Sequence, residues 1–128
     1  MQITAVHHIA IICADYGRSR RFYTEVLGFP VLRELWRAER QSWKLDLLVN
    51  GLYQIELFSF PQPPARMTQP EACGLRHLAL AVPDLDAAVA ELRAKGVPVE
   101  AIRLDGQTGK RFAFFADPDG LPLELYES

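Results

Sequence analysis

Cysteine is scarce in this chain of 128 residues: Cys13 and Cys73 stand sixty positions apart and form no CxxC pair. That spacing argues against a disulfide framework, a dithiol redox pair and a thiolate zinc site, so both are expected to be ordinary buried thiols. Also missing is any apolar run approaching the roughly 20 residues of a membrane-spanning helix. The first residues lack the basic, apolar and small-residue order of a signal peptide, and a cytoplasmic protein with no membrane partner is expected. There is no basic excess either, with 14 Lys and Arg against 16 Asp and Glu and a net charge of −2. Neutralising a phosphate backbone needs surplus positive charge, so nucleic acid is a poor partner and a small molecule a better one. The hydrophobic fraction of 49% is enough to build a real core in one domain.

What the chain does have is a repeat. Val6-His7-His8-Ile9-Ala10-Ile11 is followed by Asp15, then by an amphipathic stretch from Ser19 to Leu27 that stops at Gly28-Phe29-Pro30-Val31. Leu75-Arg76-His77-Leu78-Ala79-Leu80 leads likewise to Asp84, to the stretch Leu85–Lys95 and to Gly96-Val97-Pro98-Val99. Asp15 and Asp84 lie where a carboxylate can accept the unpaired N–H groups of a helix start, and Gly28 and Gly96 suit the left-handed position after a helix end. Phe22, Tyr23, Val26 and Leu27 share one helical stripe, as do Leu85, Ala88, Val89 and Leu92, so each helix should cover a sheet.

After each helix the apolar period becomes two. Strands are predicted near Val31–Trp36, Trp43–Val49 and Tyr53–Phe60, with a turn at Asn50-Gly51, and near Val99–Leu104, Arg111–Phe115 and Leu121–Tyr126, joined by Asp117-Pro118-Asp119-Gly120. Each unit reads strand, helix, three strands, giving an α+β domain of two tandem βαβββ modules over about 4–60 and 74–128. The proline-rich stretch of about 61–73 is the connector.

The repeat also aligns four polar residues. His8 corresponds to His77, and Glu56 in Ile55-Glu56-Leu57 to Glu124 in Leu123-Glu124-Leu125. A single Glu between two apolar strand residues usually points to solvent. Two His and two Glu on the first and last strands of both copies, all able to face one side, form instead an N2O2 set for one divalent cation. His7 competes with His8, but the repeat pairs His8 with His77, and adjacent strand residues face opposite ways. His7 is therefore expected on the helix side or frayed. Trp36 and Trp43, with Arg33, Arg37 and Arg40, read as sheet packing and a charged edge rather than a lid.

His8-Ile9-Ala10-Ile11, Phe22-Tyr23 with Val26-Leu27-Gly28-Phe29, Ile55-Glu56-Leu57, Gly74-Leu75-Arg76-His77-Leu78, and Asp117-Pro118-Asp119-Gly120 before Leu123-Glu124-Leu125 resemble the vicinal oxygen chelate superfamily. This is the glyoxalase/bleomycin resistance/dioxygenase fold, with sheets curving around a metal cleft. The His, Glu, His, Glu order is similar to glyoxalase I, the lactoylglutathione lyase. The resemblance implies a lyase or isomerase with one Ni, Zn or Co ion per site. The substrate would pass through an enediolate, with Glu124 as base and Glu56 as second acid/base or ligand. It further implies a homodimer in which each metal takes one His and one Glu from each subunit. Bacterial glyoxalase I grips glutathione with an Arg and an Asn at positions occupied here by Ile12 and Phe60, which points to a more apolar substrate or to other holding groups. Lys110 and Arg111 are candidates to meet an anion. The rivals are another metalloenzyme of the fold, an epimerase or dioxygenase, and a ligand-binding resistance protein without turnover.

Overall fold

Asp15 ends the first strand, β1 (Ile9–Cys13), and begins a helix: its backbone is extended and its carboxylate accepts the N–H of Arg18 at 3.0 Å. The computed structural model describes residues 1–128 and divides into two units, Met1–Ala65 and Arg66–Ser128. In the first, α1 (Tyr16–Arg21) widens into a π turn over Phe22–Val26, where the Leu27 N–H bonds the Phe22 carbonyl five residues back. Then follow β2 (Val31–Arg37), β3 (Ser42–Val49) and β4 (Leu52–Ser59). The sheet order is β1-β4-β3-β2, with β1 parallel to β4 and the other pairs antiparallel.

The second unit repeats this with β5 (Leu78–Val82), α2 (Leu85–Ala94), β6 (Arg103–Leu104), β7 (Arg111–Ala116) and β8 (Pro122–Glu127), in the order β5-β8-β7-β6. Asp84 accepts the N–H of Ala87 at 2.9 Å. Gly96, at φ 80°, ends α2 while Gly96 N–H bonds Arg93 O and Val97 N–H bonds Leu92 O, the paired bonds of a Schellman cap. From Asp15 to Gly28 is thirteen residues and from Asp84 to Gly96 twelve. The wide π turn takes up the extra residue.

In each unit one set of alternating residues on the central strands faces the helix and is buried. Leu45, Leu47, Ile55 and Leu57 lie with Ile11, Phe22 and Tyr23, and Ala113, Phe115, Leu123 and Leu125 lie with Leu85, Val89 and Leu92. Three expectations need correction. The predicted strand at Val99–Leu104 shrinks to Arg103–Leu104, because Glu100 N–H reaches Phe114 O and the register then slips before Arg103 meets Phe112. The first helix starts at Tyr16 rather than Ser19, immediately after its Asp15 cap. Cys13 is buried as expected, but Cys73 is exposed, and neither forms a disulfide.

The β3–β4 hairpin contains a bulge. Val49 pairs with Leu52 and Leu48 with Tyr53 across the Asn50-Gly51 turn, yet Leu47 pairs with Ile55 and Asp46 with Glu56. Gln54 is the extra residue. A bulge shifts strand parity by one, which brings Asp46 opposite Glu56 and turns the Tyr53 ring to the same face. The β7–β8 pairing runs from Phe112↔Tyr126 to Ala116↔Pro122 without a slip.

Candidate functional site

The sheet face away from each helix carries the four sequence-predicted ligands as two pairs. Ala10 is registered with Glu56 and Ala79 with Glu124, so His8 and His77, two residues upstream of those alanines, have the parity of the glutamates. His8 Nε2 lies 3.4 Å from Glu56 Oε2 in the first unit, and His77 Nε2 lies 3.1 Å from Glu124 Oε2 in the second. Within the chain no three His, Cys, Asp or Glu side chains are grouped so as to hold a metal ion. Both glutamates are only 8% exposed, although each lies on the face opposite the apolar core.

The donor set suits a first-row cation. Two donors bonded to one such ion at roughly 2.0–2.2 Å, with roughly 90–109° between them, lie roughly 2.8–3.6 Å apart, and both His–Glu separations fall in that range. Each unit thus offers one imidazole and one carboxylate spaced as neighbouring ligands, half of an N2O2 set.

Around Glu56 the bulged hairpin builds a polar cluster that sequence reasoning missed. Lys44 Nζ lies 3.0 Å from Glu56 Oε1 and 2.6 Å from Asp46 Oδ1; the Tyr53 hydroxyl donates to Glu56 Oε1. Arg33 Nε donates to the other oxygen of Asp46 at 2.9 Å, so this arginine supports the cluster. Burial pushes the Glu56 carboxyl up, but hydrogen bonds from Tyr53 and Lys44 outweigh it and hold the group below the usual carboxylate range. Burial likewise raises Asp46, and Lys44 and Arg33 overcome it. The Lys44 ammonium is disfavoured by burial, yet its two carboxylate partners raise it well above its ordinary value.

Glu124 has no such escort. Phe112 and Phe114 stand at the β7 positions matching Lys44 and Asp46 on β3, and the only ion pair of Glu124 is with His77. The His77 ring packs edge-on against Phe114 at 5.1 Å. Arg76 Nη1, which can only donate, lies 3.2 Å from His77 Nδ1, so a neutral ring carries its proton on Nε2 and gives it to Glu124. Ligation through Nε2 requires the other tautomer and a swing of Arg76.

Of the two expectations for His7, the helix side is not met, and the residue lies exposed before the first strand. It precedes the residues paired in β1; its Nδ1 lies 2.8 Å from His8 Nδ1 and its ring meets Tyr53 edge-on, while the His8 ring stacks on Tyr53. Arg111 is not free to meet an anion, because it is tied to Glu127 at 2.8 Å and Asp86 at 3.0 Å. Trp43 stacks on Tyr16 and Trp36 tilts against Trp43, which is sheet-edge packing as expected. Ile12, 55% exposed, is registered with Phe58, and Phe58 stacks on Phe60, so apolar side chains adjoin Glu56 where the resemblance called for Arg and Asn.

Comparison with known proteins agrees with this architecture. The family model Glyoxalase/Bleomycin resistance protein/Dioxygenase superfamily matches residues 5–125. The chain is 62% identical to the uncharacterized protein YwkD of Bacillus subtilis over 99% of both chains. It is 34% identical to a 2-epi-5-epi-valiolone epimerase of Actinomyces over 94% of this chain and 78% of that one. Among solved structures, a glyoxalase family protein from Enterococcus faecalis is 47% identical, with a TM-score of 0.90 over 99% of this chain and 100% of that one. The duplicated strand-helix-sheet units and a family match spanning both of them lead to one assignment: the chain belongs to the glyoxalase/bleomycin resistance/dioxygenase superfamily.

Proposed function

We propose that the protein is a divalent-metal-dependent lyase or isomerase of the glyoxalase I type, in which His8, Glu56, His77 and Glu124 hold one cation. The reading further takes the protein as a homodimer, the cation drawing one His–Glu pair from each subunit. Proteins of this superfamily are commonly dimeric. When bound, Ni, Zn or Co would act as a Lewis acid on two adjacent substrate oxygens.

The observation that carries the reading is the unequal support of two equally buried glutamates. Glu56 has one oxygen taken by Lys44 and Tyr53, leaving the other toward His8, which suits a fixed ligand. Glu124 has His77 as its one polar partner and no lysine or tyrosine fixing either oxygen, which suits a base that takes a proton from one substrate carbon and returns it to the next. Phe114, registered opposite it, sets its ring against His77, and Glu124 is itself buried, which limits water, the alternative proton acceptor. Ile12, Phe58 and Phe60 favour a substrate with an apolar portion over glutathione.

Metal content by elemental analysis after loading with Ni, Co or Zn tests the ligand set. Exchange of a carbon-bound proton for deuterium, followed by NMR over a panel of α-ketoaldehydes with several thiols, tests the base. Glu124→Gln should bind metal more weakly and abolish exchange, whereas Glu56→Gln should lose most of the metal. Unchanged turnover in Glu124→Gln sinks the base assignment.

An epimerase is the second reading, favoured by the relative of that name and by the lack of the glutathione grips at Ile12 and Phe60. It expects metal-dependent deuterium exchange at one carbon with no thiol requirement.

A further inference from the structure

The second unit contains a cavity of about 210 Å³ whose walls include Arg66, Arg76, Arg103, Glu71, Glu100 and Phe114. Its charge is unevenly spent. Arg76 is matched by Glu71, whose two oxygens each lie 3.3 Å from it. Arg66 is held by neutral acceptors, with Nε donating to Thr68 Oγ1 and Nη2 to the carbonyls of Leu75 and Arg76, so its charge is positioned but not neutralised. Arg103 is held by rings: its guanidinium lies 5.0 Å from the centre of Phe112 and 5.4 Å from that of Phe114. No carboxylate pairs with it. Against these two arginines stands Glu100 alone, which leaves the cavity with a net positive charge.

A guanidinium held against aromatic rings rather than by a carboxylate keeps its N–H fork available, and that fork matches a carboxylate or phosphate. Phe114 links this cavity to the proposed chemistry, since its ring touches that of His77 and its backbone is registered with Glu124. We propose that the cavity is the anion subsite for the substrate: a small vicinal-oxygen compound bearing a carboxylate or phosphoester held by Arg103 and Arg66, with its reactive carbons toward His77 and Glu124. The volume is below the roughly 300–1,000 Å³ of sites for larger ligands, which favours a small acid over a peptide conjugate. This inference rests on the functional reading above for the direction of the substrate, but not for the binding of the anion.

The test is calorimetric titration of EDTA-treated protein with glycolate, which bears only a carboxylate, with dihydroxyacetone phosphate, an acid that bears only a phosphoester, and with neutral hydroxyacetone, at low and high salt. Both acids should bind saturably, more weakly at high salt, and hydroxyacetone should not; the tighter acid identifies carboxylate or phosphoester as the group. Arg103→Met should weaken acid binding by about tenfold or more, Arg103→Lys should restore part of it, and Arg18→Ala, an exposed arginine of the first unit, should change nothing. Equal acid binding by wild type and Arg103→Met, or no saturable binding of either acid, overturns the subsite. Metal uptake, measured separately, reports on the functional reading, so acid binding without metal uptake rejects that reading and keeps the subsite.

Discussion

An ammonium next to a carboxylate proposed as a metal ligand, as Lys44 is to Glu56, has two opposed effects: it keeps the carboxylate ionised and aimed, and it repels an incoming cation. In this protein Asp46 resolves the conflict, because it takes the shorter contact to Lys44 and is itself 2% exposed. Lys44→Met would leave Asp46 buried with Arg33 as its only charged partner. We expect a loss of about 1–3 kcal/mol in urea unfolding, largely recovered in Lys44→Arg; an unchanged midpoint would remove Lys44 from the cluster. The pH dependence follows from the sign of the Asp46 shift. Its folded pKa lies below its ordinary value of 3.8, so its contribution is present above that value and is lost as pH falls through the depressed one. Melting temperature of metal-free protein should therefore drop more steeply below about pH 5 in wild type than in Asp46→Asn. Parallel curves would show that Asp46 gains nothing from Lys44 and Arg33.

At the level of elements, the helices were legible because their boundaries depend on local chemistry. An Asp that can reach back to an N–H and a Gly that can adopt positive φ mark the two ends of α2 as clearly in sequence as in space. Asp84→Ala should cost about 1 kcal/mol. Gly96→Ala should cost a similar amount, about 1 kcal/mol, from backbone conformation alone, since a Cβ there meets nothing within 4 Å. Denaturant titration measures both, and a neutral Gly96→Ala would mean that the helix end relaxes. The polar cluster was not legible for an equally local reason. A two-residue Asn50-Gly51 turn with no bulge pairs Asp46 with Ile55 and aims Lys44 and Asp46 into the core; only the extra residue at Gln54 reverses that parity. The π turn was visible only as a thirteen-residue spacing against twelve, whereas the His8–Glu56 and His77–Glu124 pairs could be read from strand alternation.

For the whole molecule, duplication followed by divergence left the two halves with different equipment. Both keep a His–Glu pair, but one surrounds it with Lys44, Asp46 and Tyr53 and the other with Phe112 and Phe114. If the two pairs of one site come from different subunits, two defective chains should repair each other. Co-expressing His8→Ala/Glu56→Gln with His77→Ala/Glu124→Gln would form heterodimers with one complete site and one empty one, binding metal at one ion per dimer while each parent homodimer binds none. Absence of metal from the purified heterodimer would mean that the ligands are not shared in this way.

The contrasting thiols provide the molecule with an internal timer. Cys73 lies open to reagents, while Cys13 is sealed to 1% exposure in the first unit. A chromogenic disulfide should consume one equivalent at once and a second only as fast as that unit opens. The lag between the two steps would report the lifetime of the fold without any added probe.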